Sequence, residues 1–138
     1  MSTLLADTIR KTGGTAGVDI RVKNTSVYES DGGTSVTQNL VQGLAKAWVQ
    51  ATGGAALSDS FNISGGTDNG TGDYTYALSN NMGNNQWSQT CNAISAEIAQ
   101  VKNATLLTSA ISVAVFSRAD SFTAADQRNF VTLHGDLA

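Results

Sequence analysis

From residue 44 onward, apolar side chains recur at every second position, the pattern of strands with one buried face. In Ala45-Lys46-Ala47-Trp48-Val49-Gln50-Ala51, the alanines and Val49 share one face, with Lys46, Trp48 and Gln50 on the other. Leu57, Phe61 and Ile63 alternate with Ser58, Ser60, Asn62 and Ser64, and Tyr74, Tyr76 and Leu78 with Thr75 and Ala77. Ile111, Val113 and Val115 mark one face of a later strand, and Phe130 to His134 form the last. Turn residues separate these runs. Gly53-Gly54 and Gly65-Gly66 punctuate neighbouring strands, and Asp68-Asn69-Gly70 supplies the positive-φ residues of a tight hairpin turn. Residues 80–85 and 120–123 read as loops. Segment 92–107 fits two patterns. Ile94, Ile98 and Val101 have helical spacing, whereas Ile94, Ala96 and Ile98 fit a strand, which the surrounding pattern favours. Thr37 to Gly43 suits a short helix.

The chain divides near residue 44. Residues 1–43 carry Gly13-Gly14, Gly17, Gly32-Gly33 and Gly43, with only short apolar pieces between them. Thr8-Ile9-Arg10 and the alternating Val18, Ile20 and Val22 suit short strands that cannot bury enough apolar surface to stand alone. This predicts an extended N-terminal arm over 1–43, docked through Leu4, Leu5, Ile9, Val18, Ile20 and Val22, and a body over 44–138. The expected fold is all-β, an antiparallel β-sandwich-like body preceded by that arm. Exposed strand edges in the arm call for a partner, and three chains around a closed axis can cover one another.

Composition narrows the function. Thr, Ser, Gly and Asn supply 55 of 138 residues, and charged residues only 14%, well below the roughly 25% of an ordinary domain. Proline is absent, which argues against a Pro-rich disordered linker, and with a net charge of −3 nothing suggests a nucleic-acid partner, whose phosphates call for a basic face. One cysteine, Cys91, excludes an intrachain disulfide framework and a four-cysteine zinc site. No apolar run reaches about 18 residues, so no transmembrane helix or membrane insertion is expected. The opening Met1-Ser2-Thr3-Leu4-Leu5-Ala6-Asp7 lacks the basic and long apolar regions of a signal peptide. At 138 residues the chain is expected to be a complete, compact unit without a long shaft or tip domain.

Catalytic chemistry is sparse. His134, the one histidine, alternates with Val131 and Leu133 in a strand pattern and is expected to be structural or surface-lying. Cys91 becomes a nucleophile only beside that histidine, and otherwise reads as a buried thiol. Asp68, Asn69 and Asp73 lack the ligand density and closing glutamate of a calcium loop and read as a turn. Gly70-Thr71-Gly72 has Thr75 where a dinucleotide fingerprint needs its third glycine. Asp120 and Asp126 raise a glycosidase pair, but a chain this short of aromatic residues is a poor sugar cleft. No enzyme, cofactor or metal is expected.

Three linked motifs, Gly43-Leu44-Ala45-Lys46-Ala47-Trp48-Val49, Asp59-Ser60-Phe61-Asn62-Ile63-Ser64 and Thr67-Asp68-Asn69-Gly70-Thr71-Gly72-Asp73-Tyr74-Thr75, resemble small virion fibre or appendage proteins of tailed bacteriophages. The Asp7-Thr8-Ile9 opening and the Val131 to Ala138 ending are similar to that family as well, while 84–105 departs from it. The resemblance implies a non-enzymatic structural protein, usually a homotrimer, residing in the virion after assembly in the bacterial cytoplasm. Its partners would be itself and other virion proteins of capsid or tail, in a short-fibre or capsid-decorating role. The alternative is a carbohydrate-binding receptor module, with Trp48, Trp87 and the 79–90 loop as its face toward a host-surface glycan.

Overall fold

The computed structural model describes residues 43–95, 97–102, 106–119 and 121–137, together with the backbone of two short strands at 27–29 and 37–39. The chain divides into two units, 1–41 and 42–138. In the first, β1 (Val27–Glu29) pairs antiparallel with β2 (Thr37–Asn39). The start of the expected Thr37–Gly43 helix is therefore a strand. The docking residues Leu4, Leu5, Ile9, Val18, Ile20 and Val22 lie outside the described residues.

The second unit is all strand and loop among its described residues. Its strands are β3 (Ala47–Ala51), β4 (Leu57–Phe61), β5 (Ile63–Gly70), β6 (Asp73–Leu78), β7 (Ser88–Ala93), β8 (Glu97–Val101), β9 (Ala110–Ser117), β10 (Thr123–Ala124) and β11 (Asn129–His134). They build two antiparallel sheets. One runs β4-β3-β11-β7. The other runs β5-β6-β9, with β8 on the far edge of β9 and β10 extending the β6 side.

Alternation explains how the sheets meet. Ala47, Val49 and Ala51 of β3 and Val131 and Leu133 of β11 are buried, as are Tyr74, Tyr76 and Leu78 of β6 and Ile111, Val113 and Val115 of β9. Each large side chain placed there contributes roughly 1.5–3 kcal/mol relative to exposure. Two tyrosines also bridge the layers by hydrogen bonds. The Tyr76 hydroxyl donates to Asn129 Oδ1 on β11 at 2.7 Å. The Tyr74 hydroxyl lies 2.8 Å from the Gly53 carbonyl and 3.0 Å from Asp126 Oδ1 and donates to one of them, while accepting from the Gln127 amide. The arrangement is sandwich-like.

Several local expectations are corrected. The alternating run Leu57 to Ser64 is two strands in different sheets, because Asn62 takes φ 57° and turns the corner between β4 and β5. Its side chain holds that corner, donating to the carbonyls of Lys46 (3.0 Å) and Asn80 (3.1 Å) and accepting from the Asn80 amide (2.7 Å). Gly65-Gly66 lies inside β5 rather than between strands. A Cβ on Gly66 would sit 2.2 Å from the Ala55 carbonyl oxygen, so the glycine permits a close backbone approach. The hairpin turn falls at Thr71-Gly72, two residues beyond Asn69-Gly70, with Gly72 at φ 67° and its amide donating to Asp126 Oδ1. Among the described residues, segment 92–107 holds the end of β7 and all of β8. It changes sheet at Ile94-Ser95, however, so Ile94 and Ile98 share no strand; Ala96 lies outside the described residues.

Candidate binding face

The register of the β4-β3-β11-β7 sheet fixes what its outer face presents. Antiparallel partners share a face, so each residue opposite an outward one also points outward. Phe61 pairs with Trp48, Trp48 with Thr132, and Thr132 with Thr90, giving one row across all four strands. The neighbouring row runs Asp59, Gln50, Phe130 and Asn92. His134 and Ser88 begin a third. Phe130 is the diagonal neighbour of Trp48, within reach of an aromatic ring. Phe61 is 52% exposed and Trp48 36%, with Phe130 half-buried.

Gln50, Asn92, Thr90, Thr132 and Ser88 make no side-chain hydrogen bond to any described residue. Asp59 Oδ1 accepts from the Ser60 amide at 2.8 Å.

The two tryptophans singled out from sequence do not meet. Trp48 points outward from β3, whereas Trp87, just before β7, packs against the core from the inner side of the same sheet. Its indole Nε1 is buried without a partner among the described residues. Trp87, Lys102, Leu107 and Ser112 help line a small cleft of about 10 Å³, room for about one water molecule. That is far too small for an organic ligand.

The remaining chemistry-bearing residues are dispersed over the second unit where they are described. Cys91 sits on the inner face of β7 and His134 on the outer face of β11, so the sheet separates them. Burial pushes the Cys91 thiol up, against the opposing hydrogen bond from Gln89 Nε2. Asp68 Oδ1 accepts from the Gly70 amide, and Asn69 Nδ2 donates to Thr75 Oγ1 at 3.0 Å and toward Asp73 Oδ1 at 3.4 Å. Asp73 also pairs with Lys102 across the outer face of its sheet. Asp126 holds the Gly72 turn and contacts Tyr74; Asp120 lies outside the described residues. Among the described residues no group of three histidine, cysteine, aspartate or glutamate side chains is placed to hold a metal ion.

Phe61, Phe130, Gln50 and Asn92 were not singled out by sequence reasoning. The available signal was Trp48 and Gln50 on the polar face of an amphipathic strand. Which aromatic residues join them depends on register, of β4 against β3 for Phe61 and of β11 against β3 for Phe130. No family model matches the chain, and no curated protein or solved structure matches it.

Proposed function

We propose that this protein is a non-enzymatic structural component of a tailed-bacteriophage virion, a short fibre or decoration subunit. It attaches through residues 1–43, assembles as a homotrimer and displays the sandwich-like body. The observation that carries this reading is the separation of the chain into units 1–41 and 42–138, the second with its own apolar core. An attachment segment and a displayed body need that division of labour. The phage-like motifs agree with it in kind. They lie on β3, on the β4–β5 corner and on the β5–β6 hairpin, which are framework.

Co-sedimentation with purified virions tests the proposal. The full chain should pellet with particles, and a chain reduced to 44–138 should stay in the supernatant. Retention of the shortened chain at full occupancy would place attachment on the body instead.

A further inference from the structure

Asn69 is the only asparagine of this chain that a glycine follows. Such a pair carries its own electrophile and nucleophile, the side-chain carboxamide carbon and the next backbone nitrogen, which can close a succinimide ring. Glycine sets no side chain beside the attacking nitrogen. A regular strand suppresses the reaction, because the ladder holds the amide proton and fixes the backbone. Here the ladder is interrupted. Asp68 pairs with Tyr74 and Gly70 with Asp73, so Asn69 is the extra residue of a bulge. Asp68, Asn69 and Gly70 are all exposed, and a Cβ on Gly70 would meet nothing within 4 Å, which leaves room for the ring and for water.

The groups around the pair are those that the reaction needs. The Gly70 amide donates to Asp68 Oδ1 at 2.9 Å, so a carboxylate already holds the proton that the nucleophilic nitrogen must lose. A general base works from within hydrogen-bond reach, roughly 2.6–3.2 Å, and this one does. The leaving nitrogen is held as well. Asn69 Nδ2 donates to Thr75 Oγ1 at 3.0 Å and toward Asp73 Oδ1 at 3.4 Å, and Asp73 is itself paired with Lys102.

We propose that Asn69 is a self-modification site, converted in the folded protein to aspartate and isoaspartate with Asp68 as the general base. Asp68 takes the Gly70 amide proton, the Gly70 nitrogen bonds to Asn69 Cγ, and the Cγ–Nδ2 bond breaks. The departing nitrogen takes a proton from solvent and leaves as ammonia, and Asp68 returns its proton to solvent. Water then opens the succinimide at either carbonyl. Aspartate results when the new bond breaks, and isoaspartate when the original peptide bond does. Both products set a further carboxylate beside Asp68 and Asp73 and remove the Nδ2 donor to Thr75. Isoaspartate also adds a methylene to the main chain of the hairpin. The inference goes beyond the structural role proposed above and does not depend on it.

The test incubates the full chain at mildly alkaline pH, folded and in guanidinium chloride. Peptide mapping reads the loss of Asn69, and an isoaspartate methyltransferase assay reads the product. The folded chain should lose Asn69 faster than any other asparagine. Asp68→Ala, shown to be folded by an unchanged melting temperature, should lose it about tenfold more slowly, whereas in denaturant the two chains should react alike. A base held by the fold also makes the rate less dependent on hydroxide, so a change to neutral pH should slow the folded parent chain less than the denatured one. An Asn69 that survives in the folded chain while reacting in denaturant overturns the inference, since the strand then protects it. So does a folded Asp68→Ala that reacts as fast as the parent chain, or the same pH dependence with and without the fold.

Discussion

At the scale of single residues, the two buried tyrosines tie the layers together and set an alkaline limit on stability. Burial pushes the Tyr76 hydroxyl up to about 12 from an ordinary 10.0. Tyr74 is pushed up as well, first by burial and then by Asp126 beside it. Below 10.0 the folded and unfolded chains both hold these protons, so the contribution is constant. Above 10.0 the unfolded chain releases protons that the folded chain retains, and stability falls as pH rises toward about 12. Thermal unfolding followed from about pH 8 to pH 12, with tyrosinate absorbance as a second signal, should show this decline. A flat profile beyond 10.0 would contradict it. In Tyr76→Phe the buried Asn129 carboxamide oxygen loses its donor, at a cost of about 1–3 kcal/mol near neutral pH, read by denaturant unfolding.

At the scale of elements, the decisive joint is the corner at Asn62. One side chain there bonds the backbone at Lys46 and Asn80 while its own backbone sits in the left-handed region, where asparagine is tolerated and most residues are strained. Asn62→Ala loses the bonds and keeps the strain, so it should cost about 2–4 kcal/mol; Asn62→Gly relieves the strain and should cost less. Chemical denaturation of both variants checks the order, and equal costs would show that the side-chain bonds alone hold the corner.

The same joint explains what the sequence could reveal. Strands β6, β9 and β11 are legible because Tyr74, Tyr76, Ile111, Val113, Val131 and Leu133 alternate and all face one core. Leu57, Phe61 and Ile63 alternate equally well, yet Leu57 and Phe61 are exposed and Ile63 belongs to the other sheet. Alternation records which residues share a face within a strand and is blind to a corner made by one asparagine that continues the polar half of the pattern. The binding face was illegible for the same reason. Trp48 could be placed on an outer face from its own strand, but Phe61 and Phe130 join it only through pairing across strands. Trp87 could not be separated from Trp48 by composition. Its place on the inner face follows from the parity of Gln89, Cys91 and Ala93 on the strand that it precedes.

At the scale of the whole molecule, the proposed function divides labour between residues 1–43 and the body. Both tryptophans and all four phenylalanines lie after residue 43, and the core residues described in the second unit come from its own strands and loops. A chain reduced to 44–138 should therefore keep a β-type circular dichroism spectrum and a cooperative melt, while light scattering should report the proposed trimer for the full chain and its loss for the shortened one. An unfolded 44–138 would make the first 43 residues part of the core. Attachment to a virion is tested most directly by quantitative mass spectrometry of gradient-purified particles, from a culture producing the phage proposed to encode this chain. This protein is expected in the particle fraction at a fixed number of copies per virion, a multiple of three. Its presence in the lysate and absence from the purified particles would contradict virion attachment.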